Sequence, residues 1–367
     1  MNALLKSLTA TLVLTTAALA QTPAPAPAPV PTDPAALLTA LAARHQLHSP
    51  TAKPWHLRAT VIIPAKPEVA AQPGVPARAA LPPKQALIEE FFVSPHKNKL
   101  TISMPGFTQS RFTTDKGEFT VGDPGSIPYI VAFAYQQIVD PAPSVADIAE
   151  SHPTKSTEPF GTVKLDCVAL TQEFRVARNR NVSPTSNLGL FPTYCMQQDT
   201  LYLRVFTSFG TGLVTFDKIG QFLGNDVPIA LTLSAQGVKL ADVNVTALQA
   251  LTTIDDAIFT PPPIAVEAHF SPVKIAPNVA ASNLLQKIPP MYPPTARVVH
   301  LEGDVHLHAT IGTDGAIRSL RVIDAPNADF AISAIAAAHR WTYKPYLLNG
   351  NPVEAETNIT VVFDFTH

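Results

Sequence analysis

Only 2 cysteines and 2 tryptophans occur in 367 residues, and charged residues make up just 15% of the chain. With 26 Lys+Arg against 28 Asp+Glu the formal net charge is −2, so no long-range field exists to gather DNA, RNA or an anionic membrane surface. Two cysteines cannot build a disulfide scaffold, and no Cys-x-x-Cys or clustered Cys/His spacing accompanies either of them, which argues against a zinc site or a catalytic thiol. Long apolar runs are missing after the first twenty residues, so nothing later has the ~20 residues a membrane-spanning helix needs. No Gly-x-Ser-x-Gly elbow and no His-Glu-x-x-His motif occurs, and Gly210-Thr-Gly212 lacks the rest of a phosphate-binding fingerprint. These absences point away from an enzyme, and no cofactor is expected.

What is present is proline, 37 of them, and a hydrophobic fraction of 46%. That fraction can bury a core, and that much proline fits strands joined by Pro-broken loops better than a helical bundle. The length suggests two domains with tails.

The chain opens with a single lysine, Lys6, followed by an apolar stretch ending in Ala18-Leu19-Ala20. This is the three-part layout of a secretory signal over residues 1–20, cleaved after Ala20, with export to the periplasm as its consequence. The alternative is an uncleaved inner-membrane anchor over residues 3–20. Residues 21–34, QTPAPAPAPVPTDP, read as an extended polyproline II linker. In an oxidising compartment Cys167 and Cys195, each on a strand-like run, are expected to pair, adding about 3.5 kcal/mol in the chain-entropy account. Two free buried cysteines are the alternative.

Asp33 and Pro34 announce a helix over 35–47. From Trp55 the pattern changes to alternating strands at short spacing, with helices expected at 127–139 and 144–151. Residues 35–264 therefore read as a curved antiparallel sheet with helices on one face. Within it Glu89-Glu90 read as an ordinary surface pair of carboxylates. The opening Trp55 strand, the strand order and the closing Asp256-x-x-Phe259-x-x-Pro262 phrase resemble lipoprotein-carrier-like half-barrels.

The last eighty residues are more specific. Val305, Leu307, Ala309 and Ile311 alternate with Asp304, His306, His308 and Thr310, a half-buried strand. Thr313-Asp314-Gly315 is a tight turn, Asn327 caps an amphipathic helix, and Ile359, Val361, Phe363 and Phe365 alternate along a final strand. The overall class is α+β, ending in a small β-β-α-β unit. His306 and His308 share one strand face with His300 nearby, yet no third strong ligand accompanies them, so no metal site is assigned.

Tyr292-Pro293, Gly303-x-Val305, Asp314-Gly315, Trp341-x-Tyr343-x-Pro345 and Asn349-Gly350-x-Pro352 follow one another at a spacing that resembles the C-terminal domain of the TonB energy transducers, over about 272–367. The resemblance implies a periplasmic domain that binds short extended segments of outer-membrane receptors by strand addition, linked to receptor transport. The binding edge it implies is the last strand: Asn358, Ile359, Thr360, Val361, Val362 and Phe363. Tyr292, Pro293, Gly303, Gly315, Trp341, Tyr343 and Pro345 are read as residues that fold this unit. The expected partners are envelope or outer-membrane proteins; the alternative is a carrier holding a lipid or lipoprotein in the N-terminal half-barrel. On the strand-addition reading, Val361→Pro should weaken binding more than Asp364→Ala.

Overall fold

The computed structural model describes residues 30–67, 79–171, 191–208, 212–235 and 237–365. The stretch read above as a signal segment, most of the Pro/Ala tract, Gly210 and the Arg-containing stretch before Phe191 lie outside these residues.

A helix, α1 (Pro34–Ala42), precedes the first strand, and Asp33 caps it by accepting from the Ala36 amide at 2.8 Å. It is shorter than the sequence pattern suggests. Beyond Ala42 the chain turns so that Arg44 can reach Asp226 at 2.6 Å, and His45 and Leu47 become buried. Twelve strands then follow: β1 (Trp55–Ile63), β2 (Lys84–Ser94), β3 (Lys97–Met104), β4 (Phe107–Thr114), β5 (Gly117–Gly122), β6 (His152–Phe160), β7 (Val163–Thr171), β8 (Thr193–Gln197), β9 (Leu203–Ser208), β10 (Gly212–Phe222), β11 (Asn225–Ala235) and β12 (Val238–Ala250). The helices α2 (Tyr129–Val139) and α3 (Val145–Ala149) interrupt them after β5. A short β13 (Val266–Ala268) pairs with β5 and carries the first sheet past residue 264.

The result is one thirteen-stranded antiparallel sheet, ordered β13-β5-β4-β3-β2-β1-β12-β11-β10-β9-β8-β7-β6. Two meanders meet where β1 pairs with β12, from Trp55 opposite Ala250 to Ile62 opposite Asp242. Trp55, Leu57, Ala59 and Val61 of β1 and Ile88 and Phe92 of β2 alternate inward, as strand geometry requires. Leu37, Leu38 and Leu41 of α1 and Val131, Ala134 and Ile138 of α2 pack against them in one continuous core. The face that could have been an open concavity is filled by side chains.

β14 (Val273–Lys274), α4 (Pro277–Ser282), β15 (Leu284–Gln286) and α5 (Pro294–Val298) lead into a second unit. It contains β16 (Gly303–Ile311), β17 (Ile317–Asp324), α6 (Ala328–Ala338), β18 (Thr342–Tyr343), β19 (Tyr346–Leu348), β20 (Asn351–Val353) and β21 (Ala355–Phe363). Its main sheet is ordered β14-β21-β16-β17. The inward residues of β16, Val305, Leu307, Ala309 and Ile311, are buried beneath Phe330, Ala331, Ala334 and Ile335 of α6. Asn327 Oδ1 accepts from the Phe330 amide at 2.9 Å, the cap expected from its side chain.

Several motif residues of this unit sit in a turn or in packed positions. Gly315 has φ +78°, and a Cβ there would lie 1.9 Å from the Tyr343 carbonyl, so the turn after β16 admits no side chain. Trp341 Nε1 donates to the Ile288 carbonyl at 2.8 Å, and the Tyr292 hydroxyl donates to the Leu301 carbonyl. Tyr343 and Pro293 are buried, and Pro345 is exposed.

The two units share material. Phe191, which enters β8 of the first sheet, is completely buried in the core of the second. The Ser126 and Thr313 hydroxyls bond across the boundary, Asn351 Nδ2 donates to the Glu267 carbonyl at 3.3 Å, and Arg321 approaches Glu150 at 3.9 Å. Cys167 and Cys195, directly opposite on β7 and β8, form a disulfide.

Candidate functional site

The outer edge of β21 is the first candidate. β21 runs antiparallel to β16 along its whole length, Phe363 opposite Gly303 through Ala355 opposite Ile311. Its other side is taken only at the start, where β14 runs parallel to it with Val273 opposite Ala355 and Lys274 opposite Glu356. The Val273 and Ile275 amides donate to the Glu354 and Glu356 carbonyls, each at 2.8 Å, and α4 follows beside the strand.

These bonds fix the parity. Along a strand the N–H and C=O of one residue point to one side and those of the next to the other. Since the carbonyls of residues 354 and 356 point toward β14, so do the backbone groups of Asn358, Thr360 and Val362. Among the described residues no strand pairs with those three. Ile359, Val361 and Phe363 spend their backbone groups on β16, and their side chains are buried.

The six residues expected on the edge thus divide into three that offer backbone groups outward and three that hold the sheet. Val361→Pro would attack the β16 ladder rather than the open side. The informative positions are Thr360 and Val362.

The polar face of this sheet carries the histidines. His306 Nδ1 lies 3.1 Å from Thr360 Oγ1, and His308 Nδ1 lies 3.2 Å from Asn358 Oδ1. His300 instead packs on the Phe365 ring, with centroids 4.4 Å apart. Among the described residues no group of three His, Cys, Asp or Glu could hold a metal ion.

A second constellation lies in the first unit, and the sequence pattern did not reveal it. Glu89 and Glu90 are not a surface pair. Glu89 is on the outer face, 2.9 Å from His56 and 3.1 Å from Arg58, whereas Glu90 turns inward and is only 2% exposed. Adjacent strand residues face opposite ways, so one of the two had to meet the helices. His48, in the turn after α1, bridges Glu90 Oε1 at 3.1 Å and Asp140 Oδ2, just past α2, at 3.0 Å. The Tyr135 hydroxyl donates to Glu90 Oε2 at 2.7 Å. The His48 ring lies on Trp55 and Phe92, at 5.6 and 5.0 Å between centroids. Burial alone would lower the His48 pKa, but the charge of Glu90 and the hydrogen bonds the ring donates to both carboxylates outweigh it and raise the value to about 10. His48 is therefore an imidazolium clamped between two acids.

His45, three residues earlier, behaves oppositely. Burial lowers its pKa to about 4, offset only in part by Asp226. A group held neutral this way contributes stability that is complete above its unfolded value of 6.5 and is lost as pH falls through about 4. Thermal melts from pH 7 down to 3.5 should show a loss on acidification that is smaller in His45→Phe. A slope that the substitution leaves unchanged would remove His45 as its source.

A cleft of about 1190 Å³ lies between the units. Tyr129, Phe133 and Asp140 line one side, and Thr310, Arg318 and Glu354 line the other. Arg318 is engaged with Asp314 at 2.6 Å.

Residues 288–365 match the family described as the Gram-negative bacterial TonB protein C-terminal domain. The match covers α5, α6 and β16 to β21, and it establishes the resemblance carried by Tyr292, Gly303, Gly315 and Trp341. Among solved structures, the solution structure of the Pseudomonas aeruginosa TonB C-terminal domain is 27% identical over 23% of this chain and 86% of its own, with a TM-score of 0.21. A LolA-superfamily protein from Nitrosomonas europaea is 9% identical, covering 61% of this chain and 97% of its own at TM-score 0.33. A DUF1329-family protein from Desulfovibrio piger is 11% identical over 62% and 98%, at 0.36. No curated protein matches the chain.

Proposed function

We propose that this is a periplasmic protein whose C-terminal domain takes an extended segment of an envelope or outer-membrane protein as an added strand along β21, in the service of outer-membrane receptor transport. The observation that carries the reading is the row of backbone groups at Asn358, Thr360 and Val362, which have no strand opposite them among the described residues. Strand addition uses such groups for affinity and side-chain pockets for selectivity. Two further observations support it. The face of the first sheet is filled by α1 and α2, which leaves that unit as a scaffold. No helix among the described residues is long and apolar enough to cross a membrane. We assign the protein no catalytic step.

The test is crosslinking and pull-down from a periplasmic extract with the full chain, comparing wild type with Thr360→Pro. Proline deletes the outward N–H and leaves the neighbouring ladder residues Ile359 and Val361 in place. Capture of envelope proteins should fall at least tenfold in the variant, a loss on the scale of one or two hydrogen bonds left unmade. Its melting temperature should stay close to wild type. Unchanged capture would end the strand-addition reading.

The cleft supports a second reading, in which a lipid or lipoprotein acyl chain sits between the units. Mass spectrometry of organic extracts from the purified protein decides it: a stoichiometric lipid favours the carrier, and a lipid-free protein removes it.

A further inference from the structure

The β21 edge has a charge pattern that points to the kind of strand it accepts. Residues 355–365 carry Glu356 and Asp364 and no lysine or arginine. At the closed end basic groups of the chain already lie beside the carboxylate: β14, the strand lying on this edge, sets Lys274 in register with Glu356, and His308 Nε2 approaches Glu356 at 4.0 Å. The open end has no such match. Asp364 is exposed, and Asp304, also exposed, sits in register with Val362 on the neighbouring strand. Among the described residues neither Asp304 nor Asp364 forms a salt bridge, while Glu302 is held by the Phe365 amide at 2.8 Å.

A second copy of this chain is a poor occupant. The antiparallel pairing that matches the three open residues of one copy with those of another is centred on Thr360. It would place Glu356 of each copy opposite Asp364 of the other, and like charges directly opposite destabilise a strand pair. It would also drive the end of each strand into β14. Charged side chains along an edge strand are a general means of refusing self-association.

We infer that the β21 edge selects a cationic extended segment, one that carries lysine or arginine at the position opposite Asp364 and beside Asp304. The inference rests on the strand-addition reading and specifies its partner. Residues 358–362 provide the backbone pairing, β14 bars extension past Glu356, and Asp364 chooses the charge at the far end. The internal precedent is Lys274 on β14.

The test uses the full chain and two fluorescein-labelled peptides of alternating threonine and valine, one flanked at both ends by lysine and the other by glutamate. Fluorescence anisotropy should give about fivefold tighter binding of the lysine peptide at low ionic strength, the scale of exchanging a repulsive for an attractive exposed cross-strand pair. The preference should vanish near 1 M salt, where the Debye length falls to about 3 Å. Asp364→Lys should invert it. Equal affinities at low salt, with both peptides released by Thr360→Pro, would overturn the charge selection and leave strand addition standing. Neither peptide binding, with envelope capture indifferent to Thr360→Pro, would overturn the underlying reading. A wild-type dimer in sedimentation that Thr360→Pro dissociates would overturn the inference in favour of a second copy.

Discussion

His48→Ala should lower the unfolding free energy by about 3–5 kcal/mol at pH 6, the range for breaking a buried ion pair by removing one partner. Glu90 is 2% exposed and would keep the Tyr135 hydroxyl as a hydrogen-bond donor in place of a full opposing charge. Asp140, half exposed, can return to water, so most of the cost falls on Glu90. The Trp55 and Phe92 rings, which stack on each other, would also lose the imidazole packed beside them. The wild-type protein has its own pH signature here. A folded pKa of about 10 against an unfolded 6.5 means that His48 contributes its full stabilisation below pH 6.5. As pH rises toward 10 the unfolded state gives up its proton first, and the contribution, on the order of 5 kcal/mol at most, is lost. Urea unfolding at pH 6, 8 and 9.5 checks both points: wild type should weaken steadily across that range and His48→Ala should not share the decline. A variant within 1 kcal/mol of wild type at pH 6 would show that the clamp is worth no more than a surface pair. A Glu90→Gln, His48→Ala double variant separates the pair from the packing, because coupled partners should cost less together than the sum of the two alone.

Phe191→Ala is the second large effect expected, also about 3–5 kcal/mol, the usual cost of emptying a buried phenylalanine site. The residue is fully buried in the core of the second unit although the chain places it at the entrance to β8. The loss should therefore fall unevenly. Hydrogen exchange in β16 and β17 should accelerate, while β1 and β2, packed in the separate core under α1 and α2, should stay protected. The same side chain bears on residues 272–367 expressed alone, which would fold without it and should melt below the full chain. Uniform acceleration in both sheets, or a cost under 1 kcal/mol, would mean that Phe191 does not key one unit into the other.

Parts of this architecture are legible one short window at a time. Asp33 before Pro34 and Asn327 before Phe330 cap helices because a side-chain oxygen satisfies an amide two or three residues on, and that requires no knowledge of the rest of the chain. Gly315 is legible for the same reason, and the alternation from Val305 to Ile311 shows which side chains are buried. Two cysteines on strand-like runs permit the Cys167–Cys195 bond, and the register of β7 on β8 completes it.

The site is less legible. Glu90 next to Glu89 resembles any solvated pair until His48, 42 positions earlier, and Asp140, 50 positions later, are brought to it. Side-chain alternation along β21 likewise names the exposed residues, but not that Asn358, Thr360 and Val362 hold the open backbone groups.

The amino-acid order thus determined the capped helices, the faces of the strands and the likeness of the last unit to the TonB C-terminal family, because each depends on neighbours within a few residues or on a short ordered motif. Only the tertiary structure decided that β1 lies against β12, that α1 and α2 fill the first sheet, that Phe191 crosses into the second core, and that β14 takes one end of β21 while no other described strand pairs with that side. Those outcomes depend on which distant segments meet, and hydrogen bonding and burial between segments leave no period in the sequence.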